Sequence, residues 1–143
     1  MPTPHVFISY AGDDFAAVET VKSIDSNPNN SIKFVDRSLA EPVRNANDDV
    51  IRRPPSDPAS RAVKDAISPL LKNAGKLLVL IGSNTHSHEW VKWEIDTYRS
   101  LHPGNRSILL MRVPGEYNAG APSNINIKPI DWNINDLKNW IFD

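Results

Sequence analysis

The 143-residue sequence contains no cysteine. Disulfides, thiolate nucleophiles and cysteine-based metal sites are therefore excluded. It also lacks a charge excess: 16 Lys and Arg face 17 Asp and Glu, a formal net charge of -1. That balance gives no electrostatic case for nucleic acid or an anionic membrane as the main partner. No apolar run approaches the roughly 18 residues needed to span a bilayer. The opening MPTPHVFISY has neither the basic region nor the long apolar stretch of a secretion signal. A cytoplasmic protein is the expectation. There is no GxGxxG after the first apolar segment, no Walker A sequence and no HExxH. Ordinary dinucleotide, P-loop and zincin readings fall away.

What is present fits one domain over residues 1–143, long enough for a sheet with helices on both faces. Residues 5–8 (HVFI) read as a short buried strand, closed by SYAGDD. A helix is expected from Phe15 to about Ser26, with Pro28 beyond its end. Residues 31–36 (SIKFVD) read as a peripheral strand. Residues 37–56 have little periodicity and hold three prolines and four arginines, the pattern of a lid, a contact loop or an insertion. Asp57-Pro58 is a good helix start. The apolar spacing runs on to Asn73, and Pro69 inside it predicts a kink or a broken last turn. The unbroken run LLVLI at 77–81 reads as a strand buried on both faces, as does SILLMRV at 107–113. Ile125, Ile127 and Ile130 predict a short edge strand, and a last helix begins at Asn133 or Ile134. The order predicts an open α/β fold: a mainly parallel sheet of about five strands flanked by helices. In such sheets ligands bind beyond the carboxyl ends of the strands.

Residues 82–101, GSNTHSHEWVKWEIDTYRSL, hold the chemistry. Ser87 is the expected N-cap of a helix. At about 100° per residue from Trp90, the residues Leu101, Tyr98, Val91 and Ile95 form one apolar arc. Glu94 falls at about 40°, inside that arc. A carboxylate there must meet a partner, a cleft or a ligand, because isolated buried charge is costly. A plain structural partner would be an arginine such as Arg37. Trp93 falls off the arc and is expected under a neighbouring element or on a cleft rim. His86 and His88, two apart, do not share a helical face. They are expected to be solvated, and no metal site is assigned.

Three segments resemble a TIR domain, and more specifically the TIR-like group of bacterial anti-phage Thoeris systems. They are VFISYAGDD, SIKFVDRSL and LLVLIGSNTHSHEWVKWEI. The last repeats the family layout of strand, Ser/Asn/Thr loop, Trp, three residues, then Glu. The resemblance implies a TIR/flavodoxin-like fold and an enzyme that cleaves the nicotinamide–ribose bond of NAD. It gives Glu94 the place of the catalytic glutamate, Trp90 that of the preceding tryptophan, and Tyr10 that of the aromatic at the first loop. On this reading Ser9, Tyr10 and Ser83 line the nicotinamide side, and Arg37 meets the pyrophosphate. NAD is a substrate, and no cofactor is implied. The product would be ADP-ribose, a cyclic isomer or a conjugate. As a diffusible signal, it would reach a separate effector, and the enzyme would self-associate on activation.

The sequence departs from receptor-type TIR domains in two places. Residues 37–56 lack RDxxPG, and NWIF at 139–142 only loosely echoes their FW motif. The alternative class is a non-catalytic TIR-like assembly or nucleotide-binding module. A response-receiver fold would need an aspartate at the end of the central strand, where Ile81 and Gly82 stand.

Overall fold

The computed structural model describes residues 4–11, 15–26, 32–36, 55–83, 85, 88–103, 107–116 and 119–142. Its sheet has four strands: β1 His5–Ser9, β2 Lys33–Val35, β3 Lys76–Ile81 and β4 Ile108–Arg112. They lie in the order β2-β1-β3-β4, and every pairing is parallel. The helices are α1 Phe15–Lys22, α2 Arg61–Asn73, α3 Glu89–Leu101 and α4 Ile134–Ile141.

Strand alternation divides the core in two. Val6, Ile8, Leu78, Leu80 and Met111 face α1 and α4, where Val18, Val21, Leu137 and Ile141 meet them. Phe7, Leu77, Val79, Ile81, Ile108 and Leu110 face α2 and α3, and pack on Val63, Ile67, Leu71, Val91, Ile95 and Tyr98. The β1 and β3 runs are apolar without alternation because both of their faces are covered. The chain leaves β1 toward β2 through α1, and leaves β3 toward β4 through α3. Right-handed crossovers in opposite directions put those helices on opposite faces. The carboxyl ends of β1 and β3 therefore flank the topological switch point of the sheet. Among the described residues no helix is long and apolar enough to cross a membrane.

Several expectations need correction. The fifth strand is absent among the described residues. Ile130 makes one bridge to Met111, with Ile130 N–H donating to Leu110 O at 2.9 Å and Arg112 N–H to Ile130 O at 2.8 Å. The pairing does not extend beyond this single bridge among the described residues. The first helix ends as an α-helix at Lys22 and closes with a 3₁₀ turn, Ser23–Ser26, that still buries Ile24. Asp57-Pro58 opens a 3₁₀ turn, Pro58–Ser60, and α2 starts after it.

Helix α2 also runs through Pro69 without a break. Pro69 and Asp65, whose carbonyl loses its usual donor, are both exposed. This side of the helix is open to solvent, while Val63, Ile67 and Leu71 hold the opposite face in the core. The Ser68 hydroxyl donates to Lys64 O at 2.8 Å in the same turn. The helix thus carries the local cost of proline without ending there. Pro69→Ala is expected to raise unfolding free energy by roughly 1–3 kcal/mol. A lower denaturant midpoint in the variant would contradict a continuous helix at this position.

Candidate functional site

Ser9 is the last residue of β1, held by its register opposite Val79 of β3. Phe7 faces the α2/α3 side, so alternation sends Ser9 to the same side. There its hydroxyl donates to Glu94 Oε1 at 2.7 Å. Both residues are 0% exposed. Strand end and helix, 85 residues apart in sequence, therefore meet at the switch point in a dry environment. The distance is that of a well-formed hydroxyl–carboxyl hydrogen bond.

The loop between β3 and α3 sets where Glu94 arrives. Thr85 is 0% exposed. Its hydroxyl accepts from Gly82 N–H at 2.8 Å and donates to Leu80 O at 3.3 Å. Its carbonyl accepts from His88 N–H at 3.1 Å. The chain is thus folded back at the strand end and fed into α3. The N-cap is His88, not Ser87: the His88 ring nitrogen Nδ1 accepts from Val91 N–H at 3.4 Å. His88 is consequently half-buried and fixed, which corrects the solvated reading. Ser87 and His86 lie outside the described residues.

Trp90 precedes Glu94 by one turn and is buried in the α2/α3 core. Trp93 meets it edge-on, with centroids 5.6 Å apart and planes at 77°. Tyr98 follows Glu94 by one turn, fully buried, and stacks on His102 with centroids 4.5 Å apart. Burial pushes the Tyr98 phenol above its ordinary range, with the Ser107 side chain acting in the opposite sense.

Of the remaining expected site residues, Tyr10 and Ser83 are described and stand apart from the Ser9–Glu94 pair. Tyr10 lies in the core of the α1/α4 side, across the sheet from Glu94. Ser83 is exposed in the turn after β3. Arg37 lies outside the described residues, as do residues 38–54. Asp36, just past β2, is fully buried and pairs with Lys22 Nζ at 2.6 Å. This ties the end of α1 to the sheet edge.

A groove of about 320 Å³ opens on the outer side of α3. Its lining includes Lys64, Glu89, Lys92, Trp93, Asp96 and Asn124, and Glu94 is not part of it. Trp93 lines this groove and packs partly against the α2/α3 core. Asn124 closes one side: its amide donates to Lys92 O and to Asp96 Oδ1, both at 2.9 Å. Arg99 in turn donates to Asn124 O at 2.9 Å. The sequence pointed to Thr85 only as polar loop and cap chemistry, with Asn84 and Ser87, and did not single out Asn124. Thr85 carried a signal, as a small hydroxyl residue in the tight loop after a buried strand. Asn124 carried none, because its partners lie on a helix far away in sequence.

A parallel sheet with a buried carboxylate on the helix after its central strand defines a TIR-like α/β domain. A family model described as Thoeris protein ThsB, TIR-like domain, matches residues 7–118, most of the chain. The protein belongs to that family, consistent with the NAD-related signalling or enzymatic roles of TIR domains. No curated protein matches the chain.

The Thr85 hydroxyl in the β3–α3 loop is open to a direct test. Thr85→Val keeps the side-chain size and removes the hydroxyl, leaving Gly82 N–H and Leu80 O without it. The unfolding free energy should fall by roughly 1–3 kcal/mol. An unchanged melt would show that the hydroxyl does not hold this turn.

Proposed function

We propose that this protein cleaves the bond between nicotinamide and ribose in NAD, with Glu94 as the catalytic carboxylate, and releases a cyclic or conjugated ADP-ribose signal in anti-phage defence. The observation that carries this reading is the buried Glu94 carboxylate, held by Ser9 at the carboxyl edge of β1 and one turn after Trp90. The switch point is where open α/β sheets bind their ligands. Membership in the TIR-like family supports an NAD-related substrate.

In the proposed step the ribose C1′–N bond breaks, and its electron pair leaves with neutral nicotinamide. Positive charge spreads over C1′ and the ring oxygen. A carboxylate fixed beside that ribose stabilises the cation before an acceptor adds at C1′. Water as acceptor gives ADP-ribose, a base nitrogen of the same substrate gives a cyclic isomer, and another nucleophile gives a conjugate. The dry site strengthens the attraction, because no solvent screens it.

The full burial of Glu94 favours a second reading, a non-catalytic TIR-like module in which the carboxylate is only structural. On the catalytic reading that burial is a closed resting state. Substrate reaches Glu94 after the segments above it part, which fits an enzyme that works only once activated and self-associated.

Glu94→Gln separates the two. It keeps size and the acceptor for the Ser9 hydroxyl, and removes the charge. With an activated wild type as reference, nicotinamide release should fall by roughly 10²–10⁴-fold, about 3–5 kcal/mol of transition-state stabilisation. The Tm should hold or rise, since a buried charge is removed. Equal release from both proteins, or a loss of activity that tracks unfolding, would end the catalytic assignment.

A further inference from the structure

We propose that Ser9 is the positioning residue of the candidate catalytic carboxylate: its hydroxyl holds Glu94 in place and in its charged form, and it is not a nicotinamide contact. This rests on the catalytic reading of Glu94.

The placement of Ser9 carries the argument. Ser9 is fully buried, and its hydroxyl proton is already committed to Glu94 Oε1 at 2.7 Å. Its backbone is fixed on an inner strand, paired through β1 to β3. Serine has a single heavy-atom torsion to set, so the donor is nearly as rigid as the sheet. Its acceptor stands on a helix, not on a loop. Groups mounted on rigid elements hold reactive geometry more closely than loop residues do.

The electrostatics point the same way. The core that β1, β3 and α2 contribute on this face is apolar, through Phe7, Val79, Ile81, Val63 and Ile67. Tyr98, on α3 itself, brings a titratable phenol to this face, with the His102 ring stacked on it. Such surroundings favour a protonated, neutral glutamate. A neutral carboxyl gives no charge stabilisation to a ribosyl cation. A hydroxyl donating to the carboxylate favours the ionised form and opposes that penalty. Strand β1 thereby supplies both the orientation of Glu94 and part of the reason it stays charged.

The test reads Glu94 directly and needs no turnover. The protein is labelled with ¹³C at glutamate side-chain carboxyls, and the Glu94 signal is assigned by its loss in Glu94→Gln. Ser9→Ala removes the bond that stabilises the charged form, so the Glu94 ionisation midpoint should move up by about one pH unit. Ser9→Thr keeps the donor and should stay at the wild-type midpoint. Melts on the same samples report whether each variant is folded. A midpoint unmoved in Ser9→Ala, or as high in Ser9→Thr as in Ser9→Ala, overturns the proposal.

In the activated enzyme, Ser9→Ala should lower kcat at neutral pH by about 10- to 100-fold while KM stays within about threefold. The acid limb of its pH profile should move upward with the midpoint. A raised KM with kcat intact would instead put Ser9 on the substrate and overturn the proposal. Undiminished nicotinamide release by Glu94→Gln would remove the catalytic reading alone, because the ionisation result stands apart from it.

Discussion

Burying a carboxylate in an apolar core is the constraint around which this domain is arranged. Glu94 lies within the arc that α3 presses against the sheet, so it leaves water as the helix docks. A charge there costs several kcal/mol after relaxation unless donors meet it. Ser9 is one such donor, and its delivery depends on the whole β1–β3 ladder. The register puts Ser9 beside Val79, alternation turns its hydroxyl toward α3, and the Thr85 turn sets the start of α3. A one-residue slip of β1 would send Ser9 to the other face and bring Tyr10 or Ile8 to Glu94.

The rest of the fold makes that alignment rigid. The two apolar cores clamp β1 and β3 from both sides. Lys22 pairs with buried Asp36 at the end of β2 and holds the neighbouring strand end. At the opposite end of the sheet, Lys76 at the start of β3 donates to Trp140 O at 2.7 Å and lies 5.1 Å from the Trp140 ring centroid. The C-terminal helix is thereby tied to the central strand. Asn124 bridges the 119–127 segment to α3 on its outer face. Helix α3 is therefore fixed at its start, on its core face and on its outer face, and Glu94 inherits that position.

Much of this was legible in the residues. The LLVLI run could only be an inner strand, and β3 has the expected bounds. Glu94 stood out because an arc of Trp90, Val91, Ile95 and Tyr98 left no bland place for a charge. What was not legible depends on pairs distant in the chain or on solvent. Ser9 reads as a turn residue until its partner 85 positions away is known. The effect of Pro69 depends on which side of the helix it occupies, and it stands on the exposed side. The Ile125–Ile130 pattern looked like a strand, but among the described residues it makes one bridge, a pairing that alternation alone does not reveal. Histidine is a weak cap by propensity, so Ser87 was the natural choice over His88. Tyr10 follows the strand alternation into the opposite core, although the family layout gives its position to the first loop.

The most direct measurement for the central claim is a structure of the activated protein with NAD, or an uncleavable analogue, bound. The proposed mechanism predicts that the segments over the switch point part and that a Glu94 carboxylate oxygen lies about 3–3.5 Å from the ribose carbon that bears nicotinamide, or from its ring oxygen. The dinucleotide lodged elsewhere, for example in the groove beside Trp93, with Glu94 still sealed against Ser9, would contradict it.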